Sequence, residues 1–194
     1  MRGKVVSYFL DDRTRVYWVY LLKEKFETTN VFQTFHRMIQ NQFQAKLLVF
    51  RTNNGGDIFA STLCNRIVHQ TSYVDTPQQN GIAKRRNKHL LDIAWALSFT
   101  MGVPKYLWGE AIQTVCYLVN RMPTKVLNFK TPLDSLNLIF PTSCLFNTLP
   151  LRVFGCTKFV NVHKHDRSKL DPRLLKCLIF GILLLKKGVN VFIL

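Results

Sequence analysis

Apolar positions change their period along this chain, and each change marks an element. Residues 5–10 (VVSYFL) and 15–23 (RVYWVYLLK) are rich in Val, Tyr and Trp, with the polar run Asp11-Asp12-Arg13-Thr14 between them. That pattern predicts a β-hairpin. The spacing then turns helical, with Val31, Phe35, Met38, Ile39 and Phe43 on one stripe and Thr28 or Thr29 placed to cap it. Residues 46–50 (KLLVF) read as a short buried strand that ends at Arg51. An NNGGD turn comes after it, its glycines free to adopt positive φ. A weak helix over 58–66 and a short strand over 67–72 come next.

From about Asn80 a long helix is predicted to Met101, burying Leu90, Leu91, Ile93, Ala94, Leu97 and Met101. A second helix over 105–121 carries Trp108, Ile112, Val115, Cys116 and Val119. The order hairpin, helix, strand, helix, strand, helix, helix gives an α/β domain with a mixed sheet. Pro123, Pro132, Pro141 and Pro150 punctuate an aperiodic stretch, which reads as a connector. Beyond it RVFGCTKFVNVH, LLKCLIFGILLL and GVNVFIL are three strand-like runs, expected to form a small β-barrel left incomplete at Leu194. The predicted division is therefore 1–122, 123–150 and 151–194.

Charge changes this picture most. The 194 residues hold 27 Lys and Arg against 11 Asp and Glu, a formal net charge of +16. Such an excess favours a polyanionic partner, and nucleic acid is the commonest; the plainer reading is a basic surface that binds nothing. Hydrophobic content of 47% suits a packed core rather than a disordered segment. Five cysteines form no C-x-x-C pair, and Cys116 and Cys177 sit in apolar runs, an intracellular pattern with neither a disulfide framework nor a zinc site. The opening MRGKVVSYFLDD does not read as a signal peptide. The longest apolar run, 178–185, is far shorter than a membrane span, so no membrane partner is expected.

The candidate chemistry lies between Arg51 and Leu90, where RTNNGGD and TPQQNG lead into IAKRRNKHL. These segments resemble the core of a copia-type LTR retrotransposon integrase, in which the first usually reads R-S-D-N-G-G-E and the last A-E-R-x-N. VYWVYLLKEK, VHQTS, GVPKYLWGEAIQTVCYLVNRMPTKVLNFKTPL and LRVFGC…RSKLDPR extend the resemblance over nearly the whole chain. It implies an RNase H-like fold, DNA integration by polynucleotidyl transfer, Mg²⁺ or Mn²⁺ held by three carboxylates, DNA as partner, and an integrase-like oligomer. Two of those carboxylates fall at Asn53 and Lys84 in this sequence.

Those substitutions bear directly on the chemistry. Two-metal phosphodiester transfer needs hard anionic oxygens. An Asn carbonyl is a weaker, neutral ligand, and a Lys ammonium repels a dication. About 4 Å apart, two unit positive charges repel by roughly 4 kcal/mol at an effective dielectric of ~20, and a dication doubles that. The family's first catalytic Asp is expected on a strand upstream of the hairpin, outside this sequence; Asp11 and Asp12 match a hairpin turn instead. Its absence would leave the KLLVF strand short of one neighbour. Lys84 lies 31 positions after Asn53. The family spacing is about five residues longer, and removing five from a helix shortens it by roughly 7.5 Å and rotates the downstream chain by more than a turn.

The sequence thus predicts a degenerate integrase-like segment with no intact catalytic site, no bound cofactor and a remaining grip on DNA. Lys84, Arg85, Arg86 and Lys88 at the start of the long helix are the candidate phosphate contacts, set against the reading that they form a solvated helix face. Gln78, Gln79 and Asn80 resemble a loop that meets target DNA, though TPQQNG is also an ordinary turn with Asn80 as N-cap. Asp57 reads as structural; His69 and His89 fall near the would-be site but in no cluster with zinc spacing; His163 and His165 read as exposed, and Trp95 and Trp108 as core. The alternatives are a non-catalytic nucleic-acid-binding module built on the basic helix, and a decay product with no molecular role. The nucleus is the expected location if the family's behaviour is retained.

Overall fold

Residues 5–52, 66–71, 81–141, 154–183 and 188–193 are described in the computed structural model. Asn53, Asp57, Gln78, Gln79 and Asn80, and nearly all of the weak helix expected over 58–66, lie outside the described residues. The expected hairpin forms from β1 (Val5–Leu10) and β2 (Tyr17–Leu22), antiparallel, with Tyr8 opposite Val19 and Phe9 opposite Trp18. Its turn is closed by the two acids: the Asp11 carboxylate accepts from the Thr14 N–H at 2.8 Å, and Asp12 pairs with Arg15 at 2.7 Å. Arg15 takes a left-handed φ of 62° there. Both aspartates are therefore committed to the turn.

Helix α1 (Thr28–Phe43) comes after a 3-10 turn, and the structure corrects its expected start. Its N-cap is Glu27, without a side-chain cap bond, and neither Thr28 nor Thr29 fills that place. The Glu27 carboxylate instead accepts from the Lys23 N–H at 2.9 Å, tying the helix to the end of β2. The buried stripe is also wider than predicted. Phe32, absent from the expected stripe, is 0% exposed, because α1 packs against two separate pairs of strands rather than one surface.

The second pair is β3 (Val49–Thr52) and β4 (Val68–Thr71), parallel, with Phe50 opposite His69 and Thr52 opposite Thr71. Strand β3 starts three residues later than the KLLVF run, and Leu48 is exposed. Its extent is set by what β4 can pair with, not by local apolarity. Among the described residues β3 bonds to β4 and not to β1, so two two-stranded sheets replace the single mixed sheet expected. One aromatic cluster serves both: Phe9 stacks on Phe35 with centroids 4.2 Å apart, and Phe32 lies 4.7 Å from Phe50.

Helix α2 (Gly81–Thr100) matches its prediction closely, with Leu90 and Ala94 fully buried. Helix α3 (Trp108–Val119) is shorter than expected, since 105–107 form a 3-10 turn. The expected connector contains helix α4 (Pro132–Ile139). Thr131 caps it by accepting from the Asp134 N–H at 3.0 Å, and Pro132 occupies the first turn, where a missing N–H costs nothing. Leu136 of α4 packs with Val16 and Phe43. The last elements, β5 (Thr157–Asn161), β6 (Leu174–Leu183) and β7 (Gly188–Ile193), form an antiparallel sheet in that order. Contacts group the chain into two compact units, 1–90 with 118–146 and 91–117 with 147–194.

Candidate nucleic-acid interface

The basic segment occupies the first turns of α2. Lys84, Arg85, Lys88 and His89 are exposed, and Lys84 and Lys88 share one side of the helix, a turn apart. The Arg85 Nε donates to the Gly81 carbonyl at 3.1 Å, so that side chain folds back over the opening turn. Arg86 departs from its predicted role as a fourth outward cation. It lies about 200° around the helix from Lys84, is half-buried, and donates from Nη1 to the Tyr17 hydroxyl at 2.8 Å. Its guanidinium carbon is 5.9 Å from the centroid of the same ring. The outward face is therefore Lys84, Arg85 and Lys88, and Arg86 fastens that face to the hairpin.

Tyr17 is held from a third direction as well. The Asn120 side-chain oxygen accepts from the Tyr17 N–H at 2.8 Å, and its amide nitrogen donates to the Tyr17 carbonyl at 2.8 Å. The Asn120 carbonyl in turn accepts from the Leu133 N–H of α4 at 3.1 Å. One short amide thus replaces a strand neighbour for Tyr17 and connects to the next helix. Asn120 has one signal in the sequence, a short polar side chain placed between the apolar CYLV run and Pro123, where such residues bond to backbone. Nearby Tyr8 has its hydroxyl pKa raised, first by burial and then by Tyr17, with Arg86 opposing.

Lys84 presents an ammonium to solvent where the resemblance puts a carboxylate. Among the described residues no three His, Cys, Asp or Glu side chains gather in a group that could hold a metal ion. His69 shares a 2.7 Å hydrogen bond with Thr52 across the β3–β4 pair, a structural use. The ammonium of Lys84 supplies no ligand for a Mg²⁺ or Mn²⁺ ion.

Other predicted residues resolve simply. His163 and His165 are exposed, and Cys116 and Cys177 are buried. Trp95, expected in the core, is 55% exposed and stacks on Phe99 with centroids 5.6 Å apart. With Val103, Trp108 and Ile112 these rings line an apolar groove of about 500 Å³, which holds no acidic residue. Among the described residues no helix is long and apolar enough to cross a membrane.

No family model matches the chain. The retrovirus-related Pol polyprotein from transposon TNT 1-94 of Nicotiana tabacum is 36% identical to it over 178 residues, covering 89% of this chain and 13% of that polyprotein. The chain thus spans about an eighth of the length of the curated relatives it matches. A chain of the simian T-cell lymphotropic virus intasome, solved by cryoEM in complex with PP2A regulatory subunit B56 gamma, superimposes with a TM-score of 0.51 at 12% identity over 98% of this chain and 74% of that one. The HTLV-2 integrase catalytic core domain, solved with magnesium, gives a TM-score of 0.48 at 15% identity over 68% of this chain and 91% of that one. The chain is a homologue of the copia-type, retrovirus-related Pol polyproteins of transposons, and its fold is shared with a chain of a retroviral intasome.

Proposed function

We propose that this stretch of Pol polyprotein is an integrase-like segment that holds nucleic acid and no longer transfers strands. The observation that carries the reading is the exposed Lys84–Arg85–Lys88 face of α2. It places three cations side by side, one of them where the resemblance expects a metal-binding Glu. Phosphate contact tolerates that exchange and gains from it; metal-assisted transfer does not. Arg86, anchored on Tyr17, fixes the rotation of the helix so that the other three cations point outward. Self-association of integrase type, and closure of the β5–β6–β7 sheet towards a barrel, belong to the same reading.

Titration of a labelled DNA duplex at several salt concentrations tests it. Substituting Lys84, Arg85 and Lys88 together by Ala is expected to flatten the dependence of log K on log salt by roughly 2.7, about 0.9 for each phosphate released. An unchanged slope would sink the binding assignment. Strand-transfer and nicking assays with Mg²⁺ or Mn²⁺ are expected to show no turnover. Robust metal-dependent turnover would overturn the inactive assignment while leaving the binding face intact.

A further inference from the structure

Strand β5 presents a second surface, built from different residues. The pleat puts Thr157, Phe159 and Asn161 on one face, and the register sets Lys176 opposite Phe159 and Leu174 opposite Asn161. The other face carries Lys158 and Val160 opposite Cys177 and Leu175; Cys177 is 1% exposed and Val160 40%, so that face is covered at its Cys177 end. On the Phe159 face Thr157, Phe159, Asn161, Leu174 and Lys176 are all exposed, so this face looks outward. Phe159 is 64% exposed, and among the described residues no other aromatic ring packs on it.

We propose that this outer face of the β5–β6 pair binds single-stranded nucleic acid, with an unpaired base stacked on Phe159 and the adjoining phosphate held by Lys176. Charge selects the class of partner. Residues 157–177 carry Lys158, Lys164, Arg167, Lys169, Arg173 and Lys176 against two aspartates. One of those, Asp171, already accepts from the Ser168 N–H at 2.8 Å within its own turn. A second copy of this chain would bring the same positive charge to the face. A duplex would offer phosphates but keep its base faces stacked, leaving the ring unused. A single strand supplies both a polyanion and free π-faces, which is what an aromatic platform edged by cations recognises.

The proposal does not depend on α2, so the two can fail separately. The probes are labelled oligothymidylate and a labelled duplex, each titrated against the full chain. Phe159→Ala is expected to weaken oligothymidylate binding roughly tenfold, the loss of one stacked base, with duplex affinity unchanged. Phe159→Tyr keeps a ring and is expected to bind like the wild type; Phe159→Leu keeps only bulk and is expected to bind like Phe159→Ala. Lys176→Ala is expected to flatten the single-strand salt slope by roughly 0.7. Equal binding by Phe159→Leu and wild type, or an equal loss on duplex, would overturn the proposal, as would failure of the wild type to bind oligothymidylate. Failure to bind duplex alone would remove the α2 reading and leave this one standing.

Discussion

Phe32→Ala is expected to lower the unfolding free energy by about 3–5 kcal/mol, the upper range for loss of a buried aromatic. Phe32 is 0% exposed and lies at a junction. Its ring centroid is 6.4 Å from Phe9 of the hairpin and 4.7 Å from Phe50 of the parallel pair, while His36 stacks on it at 6.3 Å. Among the described residues the two sheets share no hydrogen-bonded strand pair, so the aromatic cluster that includes this ring and the Phe9–Phe50 contact at 5.9 Å connects them. A cavity here cannot be closed by one sheet moving without opening space at the other. Against a typical total of about 5–15 kcal/mol, the variant would be close to unfolding. Urea denaturation followed by circular dichroism measures it, with Phe32→Leu expected to lose distinctly less. A loss below ~1 kcal/mol for the Ala variant would show that the cluster relaxes freely.

Asn120→Ala is expected to cost about 2–4 kcal/mol, since two buried backbone groups each lose the partner this side chain supplies. Asn120 is 8% exposed, and both of its bonds to Tyr17 are 2.8 Å long. Asn120→Asp separates donor from acceptor: a carboxylate can still accept from the Tyr17 N–H but faces the Tyr17 carbonyl with like charge. It is expected to be at least as damaging as Ala above the carboxylate's pKa and to recover partly on acidification, as protonation restores a donor. Stability of the Ala variant within about 0.5 kcal/mol of wild type would show that other contacts carry the junction.

What could be read from the sequence is what local physics decides. The β1–β2 turn was legible because Asp11, Asp12 and Thr14 form it from their own short side chains. Helix α2 was legible because Leu90, Ala94 and Leu97 repeat at helical spacing in its second half. Helix α4 was hidden because Pro132 looks like a breaker until Thr131 is seen capping in front of it. The bounds of β3 depend on a partner strand 19 residues away in register, and the inward turn of Arg86 depends on Tyr17, 69 positions distant. Periodicity says nothing about the bounds of β3; for Arg86 it gives the side, since Arg86 is one turn before Leu90 on the buried stripe, but not the partner. The four cations were named from their place at the start of the helix; that Arg86 is tied to the Tyr17 hydroxyl could not be named.

The Asn120–Tyr17 bracket also constrains time. Its partners are 103 positions apart in sequence. Closing a loop of that length costs on the order of 4 kcal/mol in chain entropy before any contact repays it. The hairpin can form within microseconds of leaving the ribosome, but the Tyr17 backbone has no amide from Asn120 until the rest of α3 has been synthesised. The unit that holds the basic start of α2 is thus completed from its far end, and a chain stopped short of residue 120 would carry every cation of that face without the clamp behind it.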